Sequence, residues 1–414
     1  MRILILNQYF RPDQAASAHR LTDLAEDLAR DHEIIALVGR PSYNHAADGT
    51  TTPVAPIAPS PDIRIRYVPS TSFARYRRWP RVFNYLTYLG GALAMGLTAP
   101  RPDVIVAATD PPMVGVVAAI ISRLRRVPFV HLLWDVQPDV AIAAGLLGAG
   151  PVPRLLSWLN RAAIRQAAVV VPPTEAMAAT AVALGVPEGS VLTVSHWEDL
   201  DIVRLRPKRN AFSIAHGLAD RFVVMYSGNH GLTQELDRYL ALADRLRDLQ
   251  DVLLVFVGDG ASKRALRARV DALRLDNVKL MPYASREALA DSLASADVCL
   301  APLGAGLTRF MLPSKLYTIL ACGRPFIAAI DASSDLRVLA ERHRCGFVVD
   351  PGDVDAIAER VRWLHAHPDE RQEMGARARQ AAESHYARTV VTPQFAQILK
   401  RFERLPVESL SPVP

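Results

Sequence analysis

Short runs of unbroken apolar residues alternate with helix-spaced apolar residues along almost the whole chain, and the alternation begins a second time after a break near residue 205. A strand with no polar face must be buried on both sides, the condition found inside a parallel sheet covered by helices. Ile3–Leu6 is the first such run; Leu21, Leu24, Ala25 and Leu28 then recur at helical spacing, and Ile34–Val38 follows. Ile63, Ile65 and Tyr67 alternate with Arg64 and Arg66, so that strand has one wet face. Val104–Ala107, Phe129–Leu133, Val169–Val171 and Val191–Val194 continue the series. Residues 205–218 are polar, basic and aperiodic, and read as a connection between domains. The second series is Phe222–Tyr226, Leu253–Val257, Val278–Leu280, Val298–Ala301, Phe326–Ala329 and Phe347–Val349. Two successive β/α series predict two doubly wound α/β domains. Their bounds are read as 1–204 and 205–382, with 383–414 forming a helix, expected to return to the first domain, and a tail punctuated by Pro406, Pro412 and Pro414.

A length of 414 residues accommodates two domains of ordinary size. Hydrophobic residues make up 50% and charged residues 22%, a balance that excludes a mostly disordered chain. The net charge of +6 favours anionic partners without choosing among nucleotide, nucleic acid and anionic lipid, and an arginine-rich composition explains it equally well. Cys299, Cys322 and Cys345 show no metal-ligand spacing and fit a reducing compartment. The chain enters its first strand directly, with no signal-peptide pattern, and no apolar stretch reaches the ~18 residues of a spanning helix. The expectation is a cytoplasmic protein.

Function has to be sought beyond the carboxyl ends of strands, where open α/β sheets bind ligands. No G-x-x-x-x-G-K-[ST] is present, which excludes a P-loop, and the first βα turn, Asn7 to Asp13, holds no glycine, which argues against a dinucleotide cradle there. Val257-Gly258-Asp259-Gly260 is a partial glycine motif. Ser227-Gly228-Asn229-His230-Gly231 is stronger: it follows a strand, and a helix is expected to begin near Thr233, so that glycine backbone and helix amides could approach a phosphate. A tight turn with nothing bound is the competing reading. Pro313-Ser314-Lys315-Leu316-Tyr317-Thr318 opens another helix, with Ser314 as its expected N-cap and Gly323 as its stop. Lys315 stands in the first turn, where the helix dipole disfavours a cation unless an anion is near.

In this order and spacing, these segments make the chain resemble the GT-B-fold, family-four retaining glycosyltransferases, most closely the colanic-acid and L-fucosamine transferase branch that builds bacterial surface polysaccharides. The resemblance runs over most of the chain. Its carriers are Asn7-Gln8-Tyr9-Phe10-Arg11-Pro12-Asp13, Gly39-Arg40-Pro41-Ser42-Tyr43, Thr109-Asp110-Pro111-Pro112, Trp134-Asp135-Val136-Gln137-Pro138-Asp139, the Gly228 loop, Pro313-Ser314-Lys315 with Gly323-Arg324-Pro325, and Asp350-Pro351-Gly352-Asp353. It implies two Rossmann-like domains facing across a cleft, with the nucleotide in the second. Gly228, Asn229, His230, Pro313, Ser314 and Lys315 would face the donor diphosphate, with Gly258, Tyr283 and Thr318 toward the nucleoside. The first domain would take the acceptor, with Tyr9, Phe10, Asp13 and Tyr43 on its side and Asp135 and Asp110 near the reacting centre. The donor would be a UDP- or GDP-sugar, with no metal, since amides and basic side chains stabilise the departing diphosphate.

Departures from the pattern matter. The two glutamates that the wider family carries eight residues apart are here Phe310 and Thr318, and the usual Arg and Lys of the first phosphate loop are replaced by Asn229 and Thr233 nearby. A non-catalytic binding relative and a GT-B sugar-nucleotide epimerase are therefore carried as alternatives. Asp110 also reads as a turn former, Asp135 as a turn cap, His230 as a solvated loop residue, and Trp197, beside His196, as a packing residue. Arg75 to Phe83 interleaves arginine with Trp79 and Tyr76, which suits a membrane interface and a lipid-linked acceptor, or a solvated basic edge; no nucleic-acid motif accompanies it. The segment from Asn44 to Pro61, with four prolines, reads either as a binding loop or as a surface insertion.

Overall fold

The computed structural model describes residues 1–13, 15–41, 63–73, 78–148, 150–285 and 287–403. Tyr43, the proline-rich segment 44–61 and Arg75 to Arg77 lie outside the described residues. The first sheet comprises β1 (Arg2–Leu6), β2 (Glu33–Val38), β3 (Ile63–Tyr67), β4 (Val104–Ala107), β5 (Phe129–Leu132) and β6 (Val169–Val171), in spatial order β3-β2-β1-β4-β5-β6. The second comprises β7 (Phe222–Ser227), β8 (Val252–Val257), β9 (Val278–Met281), β10 (Val298–Leu300), β11 (Phe326–Ala329) and β12 (Gly346–Val349), in order β12-β11-β10-β7-β8-β9. Every pairing is parallel. Both sheets therefore repeat one doubly wound topology, as the alternating sequence pattern predicts. In each, the strand order reverses beside the first strand, between β1 and β4 and between β7 and β10, which opens a crevice at the carboxyl ends.

The apolar runs explain the placement. β4, β5, β6 and β8 are buried along their whole length and lie inside their sheets or under helices. β3, with Arg64 and Arg66 both exposed between its apolar residues, is an edge strand, where charge blocks further pairing. Helices Ala16–Leu28 and Arg388–Leu399 cover one face of the first sheet, packing Leu21, Leu24 and Phe395 with Ile3 and Val106. Helices Arg78–Thr98, Val114–Arg125 and Pro151–Gln166 cover the other, with Tyr88, Ile121 and Ile164 in a core with Leu4 and Ile105. The Arg388 guanidinium fastens the C-terminal helix, donating to Asp27, Glu26 and Asp199 at 2.9–3.1 Å and to Asp23 at 3.3 Å. Among the described residues no helix is long and apolar enough to cross a membrane.

Four local expectations need correction. Val191–Val194 is not a strand: Leu192 and Val194 donate to Val170 and Pro172 along the edge of β6, but only a single bridge, Val170 to Val191, forms. The aperiodic connection contains a short helix, Ala211–Ala215, which a reciprocal cap between Asn210 and Ser213 makes possible. No α-helix starts near Thr233; the chain makes 3₁₀ turns at Leu232–Gln234 and Leu236–Leu240 before the helix Ala241–Arg245, because Glu235 sits in the left-handed region at φ 49° and interrupts it. Ser314 does not cap the helix Lys315–Ala321: its backbone is already helical and its side chain makes no cap bond.

Candidate active site

The donor-side candidates meet where the loops after β7 and β8 face each other. Gly228 and Gly258 have φ of 147° and 146°, conformations that L side chains avoid. A Cβ on Gly258 would stand 1.9 Å from the Gly228 carbonyl oxygen, and one on Gly228 would stand 2.9 Å from Lys315 Nζ. The glycines thus let two backbones and an ammonium share one space. Lys315 Nζ lies 3.5 Å from the centre of the Tyr226 ring and has no hydrogen-bond partner although it is buried. Burial holds its pKa well below the ordinary lysine range. His230 closes the same loop. Both of its ring nitrogens are buried without a hydrogen bond, and burial, then Lys263 and Lys315, push its pKa down to about 4, against the opposing charge of Asp259. Its backbone is fixed instead, the amide donating to Asp259 at 2.8 Å and the carbonyl accepting from Ser262 at 2.9 Å. Tyr226 Oη donates to the Asn229 carbonyl at 2.6 Å, and Tyr283 Oη to that of Asp259 at 3.3 Å.

The acceptor-side candidates meet at the ends of β1, β4 and β5. Buried Asn7 donates from Nδ2 to the Tyr9 carbonyl (2.7 Å) and accepts from the Asp110 amide (3.1 Å), so the first turn and the turn after β4 are one unit. The Gln8 amide donates to the Asp110 carbonyl at 2.7 Å, and Ser17 Oγ donates to Asp110 Oδ2 at 2.5 Å. Asp135, just past β5, has its pKa raised to about 8, first by burial and then by the like charge of Asp110. Its carboxyl makes no hydrogen bond or ion pair with another described residue.

Backbone and side-chain ties join the two poles. Asp135 forms an antiparallel bridge with Met311, and the Val136 amide donates to the Phe310 carbonyl at 2.8 Å. Arg20, buried on the helix after β1, donates to the Ser314 carbonyl at 3.0 Å and the Trp197 carbonyl at 3.3 Å. Thr318 Oγ1 donates to Glu198 Oε2 at 2.5 Å. Asp135 and Lys315 therefore lie on segments that are tied together across the two halves of the chain. Among the described residues no group of three or more His, Cys, Asp or Glu is placed to hold a metal ion.

Two family models match the two halves in order: the glycosyl transferase 4-like domain over residues 16–197 and glycosyl transferases group 1 over residues 209–381. The chain belongs to the GT-B glycosyltransferases. It is similar to WcaI of Escherichia coli, named as a colanic acid biosynthesis glycosyl transferase, at 26% identity over 250 residues, 59% of this chain and 61% of WcaI, so the match spans less than two thirds of that relative. WbjE of Pseudomonas aeruginosa, named as a glycosyltransferase, is 23% identical over 87% of this chain and 88% of its own. Among solved structures, Anabaena HepE in complex with UDP and glucose superposes with a TM-score of 0.73 at 17% identity, over 97% of this chain and 99% of HepE, a likeness of fold.

On this GT-B frame the remaining candidates fall into place unevenly. Tyr9 and Asp13 are buried at the first turn, with Tyr9 packed on Ala15 and Ala18. Phe10 belongs to the core of the first sheet, against residues such as Ile5 and Leu21, and does not line the cleft. Trp197 packs edge-on to Phe395 and Trp134 deep in the same core. His196 bridges the halves, edge-on to Trp134 at 5.4 Å and to Tyr317 at 5.9 Å, with burial pressing its pKa well below the usual histidine value. Sequence reasoning missed Arg20, Ser17 and Glu198. Arg20 carries a readable signal: it lies on the apolar stripe of its helix, four residues before Leu24, where a charge has to be compensated. Glu198 carries none, because its partner is 120 residues away.

Proposed function

We propose that this chain transfers a sugar from a UDP- or GDP-sugar to a hydroxyl of a lipid-linked glycan in surface polysaccharide synthesis, with retention of configuration. The observation that carries the reading is Lys315: a buried ammonium with no hydrogen-bond partner, packed against two glycines whose missing side chains let their backbones close on it. A diphosphate beside Gly228, Asn229, His230, Ser314 and Lys315 supplies the counter-charge. Lys315 and the loop amides then stabilise the leaving diphosphate as the glycosidic bond breaks. Gly258, Tyr283 and Thr318 lie toward the nucleoside. HepE, which shares the fold, holds UDP and glucose, which supports a nucleotide-sugar donor here. No metal is required in this reading.

On the facing wall, Asp135 orients the acceptor hydroxyl and, with its pKa near 8, is partly ionised at neutral pH and able to accept the hydroxyl proton. Asp110, held by Ser17 and the Asn7 turn, adds by its charge to the shift that burial begins, and Tyr9, Asp13 and Tyr43 flank the acceptor. Because Asp110 and Asp135 stand close enough to couple, a sugar-nucleotide epimerase is the second reading.

A thermal-shift titration with UDP, GDP, CMP and NAD, beside Lys315→Ala, tests the donor site. A ligand at ~100 times its dissociation constant adds about 2.7 kcal/mol. Stabilisation by UDP or GDP alone, lost in the variant, supports the reading and names the base; no response at millimolar ligand overturns it in favour of a non-catalytic relative. Incubation of the sugar nucleotide with membrane extract separates the two activities: a new glycosidic bond supports transfer, and a donor epimer formed without acceptor supports epimerisation.

A further inference from the structure

The helix Pro151–Gln166 carries Arg154, Ser157, Trp158 and Arg161 at the i, i+3, i+4 and i+7 spacing of one helical face. That face and the short helix Asp139–Ala143 wall a recess of about 400 Å³, within the roughly 300–1,000 Å³ of small-molecule pockets. The fold makes no use of the charged groups in this wall. The side chains of Arg154, Arg161 and Asp139 form no hydrogen bond or ion pair with any described residue, although both signs of charge line one space. Arg165, further along the same helix, is by contrast committed to the Leu184 carbonyl at 2.7 Å. Trp158 is 64% exposed. The recess adjoins the segment that carries Asp135. Buried Asn160 donates to the Gln137 carbonyl, and the Val140 amide donates to that of Val136 at 2.9 Å, so both walls are fastened to the turn that follows Asp135. Ala144, at the end of the short helix, packs against the core of the second domain.

From these residues we infer that the recess binds a carboxylated sugar unit of the acceptor glycan, set back from the reacting hydroxyl by the turn between Asp135 and Asp139. The chemistry of the wall selects this ligand. Two guanidinium groups and one carboxylate leave a single positive charge, which matches a monoanion. A guanidinium grips a carboxylate through two parallel hydrogen bonds. Asp139 and Ser157 accept from hydroxyls, which a pyranose presents around its rim. The indole of Trp158 offers a negative face to the C–H hydrogens on the flat side of such a ring. Inorganic phosphate has no ring for the indole, and its second charge meets the Asp139 carboxylate without compensation. The inference rests on the reading of a glycan acceptor and narrows it. The reaction that supplies this acceptor is then one that installs a uronic acid.

The test titrates the full chain by calorimetry with trisaccharides of glucuronate and of galacturonate, with their methyl esters, and with inorganic phosphate. Esterification removes the charge and keeps the rings. A uronate trisaccharide is expected to bind about tenfold or more tightly than its ester. Arg154→Gln with Arg161→Gln should remove that advantage and leave the ester unaffected, whereas Trp158→Ala should weaken acid and ester alike. At Gly148, on the rim, a Cβ meets no atom within 4 Å, so Gly148→Phe fills the recess without displacing the fold and should abolish binding of the acid. Stabilisation by UDP or GDP should persist in all these variants. Loss of acid binding with the donor response intact therefore concerns the recess alone, and a wild type that binds the acid but no nucleotide counts against the transferase reading alone. Uronates that do not bind, acid and ester that bind equally, phosphate that binds as tightly and displaces the acid, or acid binding that survives in the arginine and glycine variants would each overturn the inference.

Discussion

Asp135→Asn removes a carboxyl that burial and Asp110 hold up to about 8, against 3.8 for an ordinary aspartate. Between those two values the folded chain keeps a proton that the unfolded chain has released. Stability therefore falls as pH rises, by up to 1.36 kcal/mol for each pH unit per proton. From about pH 5.5 to about pH 7.5 the full effect amounts to about 2.5 kcal/mol, and the partial exposure of Asp135 reduces this to about 1 kcal/mol or somewhat more. The asparagine variant lacks this dependence and shares all others. Urea unfolding of both proteins at the two pH values should therefore show the variant gaining on the wild type by that amount toward pH 7.5. Asp110→Asn, which withdraws the like charge, should shrink the wild-type drift. A difference that stays constant with pH would mean that the carboxyl is already ionised and that burial does not govern it. Transfer activity should rise over the same range toward about pH 8, as the fraction able to accept a proton grows.

Lys315→Met is expected to raise the stability of the ligand-free protein by about 1–2 kcal/mol, because it removes a buried amine that has no hydrogen-bond partner, while abolishing UDP or GDP binding in calorimetry. Gly258→Ala forces a side chain onto the Gly228 carbonyl at a positive φ and should cost about 3 kcal/mol in urea unfolding. Thr318→Val leaves Glu198 without its donor and should cost about 1.5–3 kcal/mol, measured the same way. Arg388→Met leaves Asp23, Glu26, Asp27 and Asp199 facing one another. Hydrogen exchange should show residues 388–399 opening, with recovery beginning above pH 6 as the pH falls, because burial already raises the Asp23 pKa to about 6 and loss of Arg388 raises it further.

The two sheets were legible because their strands are apolar on both faces, a signal written locally in runs such as Ile34–Val38 and Val252–Val257. Short elements were less so. Val191–Val194 has strand composition but only one neighbour to pair with, and the helix Ala211–Ala215 depends on a single cap rather than on periodicity. Gly228 and Lys315, which the structure brings into contact, could be singled out because each is locally odd: a glycine at a strand end and a cation at a helix start. The state of Lys315 was not legible, because the groups that bury it, Tyr226 and the Gly228 loop, stand about ninety residues earlier. The same holds for Asp135, whose pKa depends on Asp110 across a strand.

Residues 310–318 are where the two halves constrain each other. Phe310 and Met311 pair with Val136 and Asp135, Ser314 accepts from Arg20, and Thr318 donates to Glu198. Lys315 sits inside this stretch. Opening the cleft removes the buried Arg20 guanidinium from its carbonyl and the Glu198 carboxylate from its hydroxyl, two charge-assisted bonds worth about 1.5–3 kcal/mol each. These ties hold the two halves together and fix the Lys315 ammonium relative to the Asp135 carboxyl. The two family glutamates replaced by Phe310 and Thr318 fall at the ends of this same stretch. What Thr318 lacks in charge, Glu198 supplies from the other half of the chain. The carboxylate beside this helix therefore comes from the first half of the chain, and its place depends on contact between the two halves.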